Sequence, residues 1–249
     1  MVQGSVVLIA AFYEFFIMVI MLILVLLTFI KYLQFRNRLT LYLFLIFFNL
    51  LLAIFFSLLS KIIVLTTDID YLYNEPTREY PATPSYLIYL RIVDFRIALA
   101  VVAISSIFSY VFKINVFEEE KKLMWKLIFY GYAGFCVFFS IVIYERGNTL
   151  LDAINFLFIF LLISMVYLPF MKKSLLSYRS SEDIFIKRKL LSLALMAFNF
   201  TCVFLCFLID RIWVLLGAYH FTIFYFLAWL FTIAGIFCAY FGYIKPKRE

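Results

Sequence analysis

Long apolar runs alternate with short polar breaks along this chain. Seven of the runs, at about 5–30, 40–65, 86–112, 123–144, 150–171, 189–214 and 218–244, are long enough to cross a bilayer. Crossing as a helix takes about 20 apolar residues, because each backbone N–H and C=O must find its partner within its own segment. Apolar residues run continuously rather than at every second position, which argues against a transmembrane barrel. The first run is too long for the apolar part of a secretory leader, has no basic stretch before it, and carries Glu14 within it. It reads as a retained helix. The predicted fold class is therefore an all-α integral membrane protein, a seven-transmembrane helix bundle forming a single domain over 1–249.

The polar breaks predict how the helices connect. Residues 66–85 contain Asn74-Glu75-Pro76 and Pro81-Ala82-Thr83-Pro84. Proline lacks the N–H donor and disfavours a helical residue before it, so a non-helical lid is expected there. The connection 172–188 holds Ser180-Ser181-Glu182-Asp183 before Ile184. A serine followed three residues later by an acid resembles a capping box, so the sixth helix is expected to start early and protrude. Only Pro169 falls inside a run, and the seven helices read as unbroken.

Charge gives the direction of insertion. One set of connections carries Lys31, Arg36, Arg38, Lys113, Lys121, Lys122, Lys126, Lys172, Lys173, Arg179, Lys187, Arg188, Lys189, Lys245, Lys247 and Arg248. The alternate set carries Lys61, Arg78, Arg91, Arg96, Arg146 and Arg211, together with the acidic Asp68, Asp70, Glu75 and Glu79. Lys and Arg accumulate on the cytoplasmic side, which puts the N-terminus outside and the C-terminus in the cytoplasm, and the cell membrane is the expected location. Composition agrees: 67% of the 249 residues are hydrophobic and the mean hydropathy is +1.06. The net charge of +7 follows from this bias and does not indicate nucleic acid. Lys172, Lys173, Lys187, Arg188 and Lys189 are candidates to contact anionic lipid headgroups or a cytoplasmic partner, at about 1 kcal/mol per residue near the surface.

An ionisable group at membrane depth costs about 2.5–3.5 kcal/mol on insertion scales and usually faces a partner inside the bundle. Glu14 lies roughly 13 Å into the first helix at ~1.5 Å per residue. The third helix offers Arg91, Asp94 and Arg96, the fifth Asp152 and Asn155, the sixth Asp210 and Arg211, and His220 opens the seventh. Arg91 and Asp94 are spaced to pair on one face, which continues through Ala98, Ser105 and Ser109. Ser192, Asn199, Cys206 and Asp210 form a comparable stripe on the sixth helix. Arg96 lies about 200° around from Asp94 at ~100° per residue, so it needs another partner, with Glu14 and Asp152 as candidates. Two readings follow: an outward-opening pocket for a small polar or anionic ligand, or a set of interhelical ion pairs. Cys202 and Cys206 share a face but have no histidine or carboxylate at their depth, so they read as core thiols. No metal-ligand set, cofactor motif, glycine-rich phosphate loop, His-Glu-x-x-His or Gly-x-Ser-x-Gly segment occurs, and neither an enzyme nor a cofactor is expected.

Arg91-Ile92-Val93-Asp94-Phe95 resembles the third-helix segment of microbial rhodopsins, but 218–244 contains no lysine to hold a retinal. The span count, the orientation and the segment Ser181-Glu182-Asp183-Ile184-Phe185-Ile186-Lys187-Arg188-Lys189 resemble the seven-helix membrane region that precedes some prokaryotic histidine kinases, and its orphan relatives. That resemblance implies a receptor-like or sensor-like protein signalling to a separate cytoplasmic partner. Small seven-helix sugar transporters share the topology without their Pro-Gln motif appearing here. A carrier or channel, or a structural subunit of a membrane complex, are the alternative expectations.

Overall fold

The computed structural model describes residues 2–72, 83–117, 123–143, 145–218 and 221–244, and every regular element in them is helical. The helices are α1 (Val2–Phe35), α2 (Arg38–Thr66), α3 (Pro84–Val93), α4 (Arg96–Phe117), α5 (Leu123–Phe138), α6 (Thr149–Ser180), α7 (Ile184–Leu215) and α8 (Ile223–Ala239). Wider π-type turns extend α5 over Phe139–Ile143 and α8 over Tyr240–Ile244. Seven segments are long and apolar enough to cross a membrane, which makes this an integral membrane protein by composition and helix length.

Neighbouring helices close into a ring: α1 packs on α2, α2 on α4, α4 on α6, α6 on α7, α7 on α8, and α8 returns to α1. α5 lies outside, against α4 and α6. Each helix is apolar nearly all round, so core and lipid faces differ in packing rather than polarity. In α1 the positions Val7, Ala10, Glu14, Ile17, Met21, Leu24 and Thr28 are buried, at alternating three- and four-residue spacing. Leu8, Ile9, Phe12, Phe15, Phe16 and Ile23 on the other side are exposed. Glu14 is thus the one carboxylate on the inward stripe of α1.

Two expectations about the helices are corrected. The third span is not continuous: α3 ends at Val93, Asp94 is its C-cap, and α4 starts at Arg96. Phe95 between them has φ 60°, a left-handed conformation that sequence alone would assign to glycine or asparagine. The break rephases the helix, so Arg91 and Asp94 do not continue into the stripe of Ala98, Ser105 and Ser109. Nor is 172–188 a loop. α6 and α7, 32 residues each, leave only Ser181–Asp183 between them. Asp183, not a serine, caps α7 by accepting from Phe185 N at 2.7 Å, while Ser181 closes α6. Lys172, Lys173, Lys187, Arg188 and Lys189 therefore sit on helices. At ~1.5 Å per residue such helices are about 48 Å long, well beyond a ~30 Å hydrocarbon layer. Lys113, expected in a connection, is buried within α4, with Nζ 5.4 Å from the Tyr110 ring centre.

Candidate functional site

Charged side chains gather at the end of the bundle where α1 begins. Glu14 of α1 is wholly buried and accepts three hydrogen bonds at Oε1: from Lys61 Nζ at 2.9 Å, Ser57 Oγ at 2.7 Å and the Tyr225 hydroxyl at 2.5 Å. Ser57 and Lys61 are four apart in α2, one turn along the same face, which lets both reach Glu14. Oε2 has no donor among the described residues. The Lys61 ammonium is itself enclosed by aromatic faces, 4.9 Å from the ring centre of Phe95, 5.3 Å from Phe221 and 5.4 Å from Tyr225. Such contacts are worth roughly 0.5–2 kcal/mol and rise as water is excluded.

A second chain of charge runs beside the first. Arg96 Nη2 meets Asp152 Oδ1 at 2.8 Å, and Arg211 Nη1 meets Asp152 Oδ2 at 3.3 Å. Arg211 Nη2 also approaches Asp210 Oδ2 at 3.2 Å. Asp210 Oδ1 accepts from the backbone N and the hydroxyl of Thr222, at 2.9 and 2.7 Å, and so fixes the start of α8. Arg96 therefore meets Asp152 and not Glu14. Asp94 pairs with Arg146 at 3.2 Å rather than with Arg91, and Arg146 also donates to the Asp70 carbonyl at 2.5 Å. Arg91 is partly exposed in the last turn of α3 and forms none of these ion pairs. Asn155 lies apart from the charges, where it accepts from Ser140 Oγ at 2.9 Å and ties α6 to the end of α5. His220 lies outside the described residues.

Among the described residues, Lys61, Arg96 and Arg211 face Glu14, Asp152 and Asp210, three cations against three carboxylates, and Asp94 meets Arg146 beside them. This cluster holds five helices together: α1, α2, α4, α6 and α7.

Next to the cluster is a cavity of about 90 Å³ within the bundle. Ser57, Phe95, Arg211 and Tyr225 belong to both. Away from the charges its wall is apolar and aromatic: Phe156, Phe200, Phe204 and Phe207, with Met21, Ala98 and Trp229. The Trp229 indole N–H, buried in this wall, has no acceptor at hydrogen-bonding geometry among the described residues. The polar stripe of α4 is consumed by its neighbours: Ser105 donates to the Ile46 carbonyl at 3.1 Å, and Ser109 lies 3.0 Å from the Tyr167 hydroxyl. The sequence reading missed Lys61, which it took for a charge near a helix end, and it expected a polar, outward-opening pocket rather than this largely apolar cavity. Lys61 had a signal in its spacing from Ser57. The cavity had none, since aromatic residues from distant helices surround it.

No protein-family model matches this chain, and neither does any curated protein or solved structure.

Proposed function

We propose that this chain is a receptor-like membrane sensor that takes a compact, largely apolar ligand into the aromatic cavity. The observation that carries this is the cavity itself: apolar, aromatic walls and one polar end at Ser57 and Arg211. Ligand sites of this composition, apolar with a few placed polar groups, are the usual form of small-molecule pockets. An apolar ligand is preferred to a polar or anionic one because the described charges of the cluster already pair with one another. In this reading the cluster is a rigid cap at the outer side, with the N-terminus outside and the C-terminus in the cytoplasm of a cell-membrane protein. Occupancy of the cavity presses on Phe200, Phe204, Phe207 and Arg211 of α7 and on Phe156 of α6. Those two long helices carry Lys172, Lys173, Lys187, Arg188 and Lys189 to the other end, where a separate cytoplasmic partner would read their position, as the resemblance to orphan kinase-type sensors implies.

The test is ligand-dependent thermal stabilisation of the purified protein against a panel of apolar and amphipathic compounds. Ala98→Phe fills the cavity and is expected to remove the stabilisation, while Trp229→Phe weakens it for compounds bearing an acceptor. Stabilisation that persists undiminished in Ala98→Phe would overturn the assignment of the site.

A carrier is the second reading, favoured by one observation: the break between α3 and α4 places Phe95 in the cavity wall, and carriers build substrate sites at interrupted helices. Solute flux into proteoliposomes that is lost in Asp94→Asn would support it over the sensor.

A further inference from the structure

At the opposite end, a groove of about 600 Å³ opens between the end of α1, the start of α2, the start of α7 and the turn 240–244. Lys31 and Lys189 line it, with Asn37 and Thr40 between them and Leu190 and Leu193 along its floor. Lys31 Nζ donates to the Tyr243 carbonyl, and Lys189 Nζ rests 4.5 Å from the Phe185 ring centre. Among the described residues, neither lysine has a carboxylate partner and no acidic side chain lines the groove. The first turn of α2, capped by the neutral Asn37, adds the positive end of a helix dipole.

We infer that this groove binds one anionic phospholipid, its phosphate between Lys31 and Lys189 and its acyl chains along the exposed apolar surface next to them. Three features select a lipid over a soluble anion. The cations converge on a single groove, whereas the described charges of the cluster at the other end pair with one another. Phe35 and Ile186 on its rim are apolar and exposed, at 68% and 46%. Leu39 and Leu190, which also line the groove, fit hydrocarbon chains and offer nothing to a free ion. The inference does not depend on the cavity and its ligand, which lie among the middle turns of the helices and share no lining residue with the groove.

Native mass spectrometry of the purified protein with phosphatidylglycerol and phosphatidylcholine of equal chain length tests it. The unaltered protein is expected to retain phosphatidylglycerol preferentially. Lys31→Gln with Lys189→Gln is expected to lower that retention by roughly 5-fold per lysine, and Arg179→Gln, exposed in the last turn of α6, to leave it unchanged. Because Lys31 also holds the end of α8, Lys189→Gln alone and its rescue by Lys189→Arg supply a reading free of any folding defect. Equal retention of the two lipids, equal loss in Arg179→Gln, or full displacement of the lipid by inorganic phosphate would each overturn the inference.

Discussion

Lys61 and Glu14 form the most constrained pair in the molecule, both wholly buried and 2.9 Å apart. Removing one partner of a buried ion pair strands the other charge and typically costs 3–5 kcal/mol, while replacing both by apolar groups is often close to neutral. Lys61→Met is therefore expected to destabilise by about that amount. Glu14→Leu combined with Lys61→Met is expected to recover most of it, measured as a double-mutant cycle on unfolding in detergent. An additive double variant would mean that the two charges do not share their stability. Arg96→Met should cost less, because Asp152 keeps Arg211. Glu14 was legible in the sequence, since it interrupts an apolar run deep inside a span. Its partner was not, because the lysine lies five residues from the end of α2 and reads as an interfacial charge until the fold brings it over α1.

Within the elements, the break at Phe95 sets two effects against each other. A left-handed conformation costs a non-glycine residue about 1–2 kcal/mol, so Phe95→Gly relieves strain. The same change removes the ring that stacks on Tyr71 at 5.8 Å and covers Lys61 at 4.9 Å. Loss of a packed Phe side chain costs about 3–5 kcal/mol, so packing wins and Phe95→Gly is expected to lower stability by roughly 1–3 kcal/mol in denaturant titration. A gain in stability would show that the ring contributes little. The break was hidden in the sequence because the residue that makes the bend is a large aromatic, held there by tertiary contacts rather than by local preference. The α6–α7 junction was misread for a related reason. Its lysines and serines look like a loop, yet helices projecting past the apolar layer tolerate polar residues freely. The cap decides where α7 starts: Asp183→Ala should cost about 1 kcal/mol and Ser180→Ala close to nothing, and the reverse order would restore the serine start.

Across the whole molecule seven helices are long and apolar enough to be spans, and if all seven cross, the two chain ends lie on opposite sides. The direction rests on charge alone: Lys and Arg crowd the connections at one end, while Asp68 and Asp70 lie at the other, where residue 68 is exposed. In a background with its four cysteines replaced, Asp68→Cys in intact cells is expected to react with a membrane-impermeant maleimide. Glu182→Cys, exposed in the short α6–α7 connection, is expected to react only after permeabilisation. Native cysteines would confuse the readout little even if left in place, since Cys136 and Cys206 are buried and Cys202 and Cys238 are partly so. If the labelling pattern came out reversed, the charged cluster would face the cytoplasm and the Lys31–Lys189 groove the outer leaflet. If both sites labelled from one side, an odd number of crossings between residues 68 and 182 would be excluded, and α4, α5 and α6 could not all be spans.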